Sequence, residues 1–195
     1  MIVPDDLVRL RLECPMGDWN TQAGLRDSAV LALLIERGGG DHLLFNRRRD
    51  DLPFHPGQVC FPGGARDGEE DAVACALRET EEEMGVARAQ IDLLGRLPDR
   101  VSIAGFKVAC FVGRLLGDAV YRVEASEVAE AFEIGCDTLL DGGRWSFRDT
   151  SHPLARFSRV PAFRGDRHVV WGLTGIILRD FTTQVLGFAP PPPAD

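Results

Sequence analysis

Apolar residues along the chain change their period from segment to segment, and that change outlines the elements. Residues 28–36 (SAVLALLIE) form a near-continuous apolar run, the pattern of a strand buried on both faces. Residues 38–41 read as a turn into 42–48, a hairpin partner. A short strand over 58–61 ends at Pro62-Gly63-Gly64. From about 70 to 84 the period becomes helical: Ala72, Val73, Ala76, Leu77, Thr80 and Met84 share one stripe, and Gly85 supplies a stop. Further strands are predicted at 91–97, 106–115 and 128–133, with a short helix at 137–141. Weaker strand patterns lie at 145–147, 157–163 and 168–170, and 172–186 reads as a closing helix with an apolar face. With no internal repeat and no linker, one domain over 1–195 is expected. It has a helix-and-loop lead-in over 1–27, broken by Pro15, Gly17 and Gly24, and a disordered proline-rich tail over 189–195.

Composition narrows the classes without choosing among them. The 195 residues are 45% hydrophobic and 27% charged, near globular averages and enough for a substantial core. A formal net charge of −8 argues against a nucleic-acid partner, which requires basic surface, but leaves room for a small anionic substrate beside a metal ion. No apolar run approaches the ~20 residues that span a bilayer, and Met1 to Leu12 lack a signal-peptide pattern. The five cysteines (Cys14, Cys60, Cys75, Cys110, Cys136) are widely spaced and include no C-x-x-C pair. They read as buried, reduced thiols, which suits a cytoplasmic protein.

Chemistry concentrates in the helical segment. Glu70, Glu79, Glu81, Glu82 and Glu83 crowd one short span, although like charges at i,i+4 spacing cost roughly 0.2–0.5 kcal/mol per pair. Projected on a helix, Glu79, Glu82 and Glu83 cluster on the flank of the buried stripe, while Glu81 points elsewhere. Three carboxylates at i, i+3 and i+4 can serve one or two hard cations, Mg²⁺ or Mn²⁺, in metal-assisted attack of water on a phosphoanhydride. Arg78 is placed to hold one carboxylate by a bidentate pair. Gly63 and Gly64, just before the helix, allow phosphate or metal to approach the backbone closely. A solvated acidic helix face would show the same glutamates without the flanking glycines.

From Gly64 the spacing runs Gly, five residues, Glu70, seven residues, then Arg78-Glu79-Thr80-Glu81-Glu82-Glu83-Met84-Gly85-Val86. This resembles the Nudix box, G-x5-E-x7-R-E-U-x-E-E-x-G-U with U a bulky aliphatic; Thr80 at the first U is the one departure. The resemblance implies an α/β fold (α+β in detail), an α/β/α sandwich around a central mixed sheet, with the box as loop–helix–loop. It implies an enzyme that hydrolyses a nucleoside diphosphate linked to another group. Glu79, Glu82 and Glu83 would hold Mg²⁺ or Mn²⁺, and Glu70 and Arg78 would fix the helix and loop. Glu82 is a candidate catalytic base. Nudix enzymes also recruit a base from a distant loop, and Glu124, Glu127 and Glu130 are candidates, Glu127 foremost. The same three also suit exposed strand-edge charges.

The substrate is argued from residues upstream. Leu43-Leu44-Phe45-Asn46-Arg47-Arg48-Arg49 and Gly57 to Gly64 resemble L-L-T-x-R-S/A-x3-R-x3-G-x3-F-P-G-G, the mark of the bacterial coenzyme A pyrophosphatase branch of the Nudix proteins. Leu43, Leu44, Arg47, Gly57 and Phe61 to Gly64 are taken as matches; Phe45, the Arg48-Arg49 pair and Pro53 depart. Val169 to Gly175 also resembles that branch. The implied reaction splits coenzyme A or a derivative into 3′,5′-adenosine diphosphate and 4′-phosphopantetheine. Arg47 and Arg48 suit its phosphates, although the arginine cluster also offsets Asp50-Asp51. His55 is either a site residue or a loop histidine with a local hydrogen bond. The alternatives are another substrate, such as ADP-ribose or a dinucleotide, and a non-catalytic ligand-sensing module. A calcium-binding acidic helix lacks the D-x-D-x-D-G loop spacing here, and a P-loop is excluded by the absence of G-x4-G-K-S/T.

Overall fold

A computed structural model describes residues 1–12, 16, 18–118, 120–150 and 159–192. Cys14, Pro15, Gly17, the start of the 157–163 strand pattern and residues 193–195 lie outside them. The elements follow in chain order: α1 (Asp5–Arg11), β1 (Arg26–Arg37), β2 (Gly40–Arg48), β3 (Val59–Cys60), β4 (Gly63–Ala65), α2 (Ala72–Met84), β5 (Ile91–Val101), β6 (Phe106–Leu115), β7 (Val128–Gly135), β8 (Trp145–Asp149), β9 (Arg159–Arg164), β10 (Val169–Trp171) and α3 (Gly172–Gln184). The segment expected to be a short helix at 137–141 is a 3₁₀ turn over Thr138–Leu140.

Seven strands make the central mixed sheet. Its main path runs β3-β2-β1-β6-β5, with β7 on β2 and β4 on β1. The β1–β6 pair is parallel (Val30 opposite Cys110) and the other pairs are antiparallel. A three-stranded sheet, β10-β9-β8, is separate. β1 is apolar almost throughout because both its faces are covered. Leu31, Leu33 and Ile35 pack with α2 residues Ala72, Cys75, Ala76 and Met84, whereas Ala32 and Leu34 join the opposite cluster with Phe45, Phe163, Leu178 and Phe181. Alternation along one strand thus divides its side chains between two cores. Burying one such large apolar side chain contributes about 1.5–3 kcal/mol.

β1 also carries the fork that builds the site. Its first half pairs with β4 (Ala29 opposite Gly64) and its last residues pair with β2 (Leu34 opposite Leu43). The sequence pattern read Pro62-Gly63-Gly64 as the end of a strand; Gly63 and Gly64 instead begin a strand of their own. At the other end of the chain Pro190 is buried, and the described tail reaches residue 192. Among the described residues the four cysteines are free, and no helix is long and apolar enough to cross a membrane.

Candidate active site

α2 begins and ends where local chemistry requires. The Asp71 carboxylate accepts from the Ala74 N–H at 2.7 Å, an N-cap worth about 0.5–2 kcal/mol. Gly85 closes the helix at φ 69°, its N–H donating to Glu81 O. Thr80, which departs from the aliphatic box position, is fully buried; its hydroxyl is satisfied by donating to Ala76 O at 2.7 Å. Between these caps the glutamates separate as the helical projection requires. Glu81 turns away and pairs with Arg88 at 3.0 Å. Glu79, Glu82 and Glu83 line a cleft of about 330 Å³ together with Glu124 and Glu127 from the segment before β7.

The carboxylates in this cleft differ in environment. Glu83 is 5% exposed, and burial pushes its carboxyl up to about 8. The Gly63 N–H (3.1 Å) and Asn46 Nδ2 (2.8 Å) both donate to Glu83 Oε2. Glu79 is also raised by burial, and its carboxylate lies directly against Gly64: a Cβ there would come within 2.5 Å of Glu79 Oε2. The side chain of Glu82 is 59% exposed at the rim. Glu124 Oε1 accepts from the Ser126 N–H (3.0 Å) and hydroxyl (2.8 Å), which hold its carboxyl below the usual range. Glu127 faces Arg48 Nη1 at 4.0 Å.

Arg78 and Glu70 stand behind the cleft. Arg78 donates to Glu70 through Nε (3.0 Å) and Nη2 (2.7 Å), the bidentate pair expected of it. That pair holds the Glu70 carboxyl down to about 2. Arg78 Nη2 also donates to Ala65 O, tying β4 to the helix, and Nη1 donates to Glu79 and Glu82, each at 2.9 Å. A single guanidinium thus joins the loop, the helix and two cleft carboxylates. Glu70 and Arg78 brace the loop against the helix, and neither lines the cleft.

The upstream residues are sorted by the faces of β2. Leu44 packs toward α2 and Phe45 away from it, so Asn46 shares the α2 face. A bulge interrupts the β2–β7 register between Arg47 and Arg48. Arg48, two residues on from Asn46 and on the same face of β2, reaches the cleft at Glu127, whereas Arg47 pairs with Asp50 at 2.7 Å. The motif's own spacing, counted back from Gly57, lands on Arg48 and places Asn46 at its threonine position. Glu130 leaves the cleft set as well: its carboxylate meets His168 Nε2 at 3.1 Å and Arg167, on the side of the sheet where Phe132 packs. His55 is exposed in the β2–β3 loop at φ 55°. Sequence reasoning passed over Asn46, which stands where the apolar run Leu43-Leu44-Phe45 ends; its place at the motif's threonine position was the signal that could have found it.

The donor set suits a hard divalent cation, since every candidate is a carboxylate oxygen and the buried Glu83 sits among like charges. Among the described residues no three His, Cys, Asp or Glu side chains converge closely enough to form a finished ligand set. Arg78 Nη1 holds Glu79 and Glu82, and a cation entering the cleft would compete with it for both.

Comparisons with known proteins agree with this geometry. A family model described as the NUDIX domain matches residues 25–139. The chain is 35% identical over 191 residues to NudL of Escherichia coli strain K12, described as an uncharacterized Nudix hydrolase, with 95% of each chain covered. NudL of Shigella sonnei is 34% identical over the same length and coverage. Among solved structures, a C. elegans Ap4A hydrolase binary complex superposes with a TM-score of 0.51 at 20% identity, covering 56% of this chain and 80% of that one. A MutT/nudix family protein from Enterococcus faecalis superposes with a TM-score of 0.51 at 16% identity, covering 88% and 71%. At such identity the structural likenesses speak for the fold. With the family model and the relatives matching across the box and the sheet that carries it, the chain belongs to the Nudix hydrolase family.

Proposed function

We propose that the protein is a metal-dependent pyrophosphatase that hydrolyses the diphosphate of coenzyme A or a derivative. The observation that carries the reaction class is the single cleft lined by Glu79, Glu82, Glu83, Glu124 and Glu127. A Mg²⁺ or Mn²⁺ ion, when bound, supplies charge neutralisation at the phosphates and lowers the pKa of water. Glu79, Glu82 and Glu83 would hold that ion. Glu127 takes the proton from the attacking water; it suits this role better than Glu124, whose oxygen already accepts two hydrogen bonds. Water oxygen adds to one phosphorus, the P–O–P bridge breaks, and the departing phosphate leaves with the bridging oxygen. Arg48, at the same cleft, meets the substrate phosphates. The retained box carboxylates argue against a module that only senses a ligand.

The coenzyme A assignment rests on the Gly57 to Gly64 segment and on Arg48 at the motif's arginine position. A second reading keeps the chemistry and changes the substrate to ADP-ribose or a dinucleotide; Pro53 in place of the motif's second arginine favours testing it. The reaction class is tested with Glu83→Gln and Glu127→Gln. The first should cut turnover by orders of magnitude while the variant stays folded. The second should cost about 10²–10⁴-fold in kcat, as expected for loss of a general base. Near-wild-type turnover in Glu83→Gln would overturn that ligand assignment.

A further inference from the structure

Glu83 is held by a contact that the box does not contain. Its Oε2 accepts both from Asn46 Nδ2 at 2.8 Å and from the Gly63 N–H at 3.1 Å. Asn46 is 1% exposed, sits on β2 and comes from a strand remote in sequence from the helix. Its own Oδ1 is buried with no hydrogen-bond partner. A buried amide left half-satisfied costs about 1–3 kcal/mol, and an apolar residue would fit this strand without that cost. The donor aimed at Glu83 is the one interaction that accounts for an asparagine here.

We infer that Asn46 is a positioning residue that fixes which oxygen of Glu83 faces the cleft. Two donors from different strands converge on Oε2, one a backbone N–H on β4 and the other a side chain on β2. With Oε2 committed to both, Oε1 is the oxygen left for a divalent cation. The carboxylate is therefore oriented before the cation arrives, and less side-chain freedom is lost on binding. Outer residues that orient a metal ligand typically contribute about 10–100-fold in metal affinity or activity. The inference rests on the reading of Glu83 as a ligand.

The test is Mn²⁺ binding by the full chain, followed by electron paramagnetic resonance in the absence of substrate, for wild type, Glu83→Gln, Asn46→Ala and Asn46→Asp. Melting temperatures of the metal-free forms report folding. Asn46→Ala should bind Mn²⁺ roughly 10–100-fold more weakly than wild type while remaining folded. Added Mn²⁺ should restore much of its kcat, a recovery that a merely structural defect would not show. Asn46→Asp keeps the shape and swaps the donor for an acceptor, so it decides the matter if the alanine variant does not fold; it too should bind more weakly. Wild-type affinity in folded Asn46→Ala, or equal or tighter binding in Asn46→Asp, overturns the inference. Wild-type affinity in Glu83→Gln overturns instead the ligand reading on which it rests.

Discussion

Burial raises the Glu83 carboxyl to about 8 in the metal-free protein. In the folded chain this group keeps its proton from its ordinary value of 4.5 up to about 8, while in the unfolded chain it has already lost it. The folded state thus binds more protons in that window, and stability falls as pH rises through it. The melting temperature of metal-free wild type should drop relative to Glu83→Gln between those two values, since glutamine carries no titrating group. A difference that stays flat across the window would contradict the burial argument. Glu70 has the opposite sign: held down to about 2 by Arg78, it stabilises the fold above its ordinary value and loses that contribution as pH falls through about 2. At this scale the box glutamates were legible because helical spacing alone decides which carboxylates share a flank. The choice between Arg47 and Arg48 needed the faces of β2: alternation from Leu44 and Asn46 puts Arg48 on the α2 side, and the sequence alone does not say which face of the strand α2 covers. Asn46 escaped notice because its role depends on a helix far away in the sequence.

Among the elements, α2 and β4 form one unit. Gly64 lies on β4 because a side chain there would collide with the Glu79 carboxylate, and at Gly63 a Cβ would come within 2.6 Å of Val30 Cα on β1. Gly64→Ala should therefore displace Glu79 or part β4 from the helix. We expect a stability loss of about 1–3 kcal/mol, as for overpacking, with a larger relative loss of turnover. Chemical denaturation beside a kinetic assay checks this, and full activity would show that Glu79 is free to move. The long strands β1 and β6 were readable from their apolar runs. β4 was not: Gly63-Gly64-Ala65 carries no hydrophobic period, and its pairing is set by the fork in β1 and by the Arg78 bond to Ala65 O.

For the whole molecule, two cores on opposite faces of one mixed sheet hold α2 at one side and α1 and α3 at the other. This arrangement brings the edge of β2, the glycines of β4 and the segment before β7 to the same end of α2, where the five glutamates meet. Fold and family were legible at this scale because the box specifies a helix, its glycine stop and the glycine before it together. Substrate choice is less legible, since it depends on loops whose motif is only partly kept. Product analysis with the purified chain, coenzyme A and Mg²⁺ or Mn²⁺ in isotope-labelled water tests the central claim most directly. The account predicts metal-dependent formation of 3′,5′-adenosine diphosphate and 4′-phosphopantetheine, with the water oxygen on one of the two products. Intact coenzyme A beside ready cleavage of ADP-ribose or a dinucleotide would contradict it.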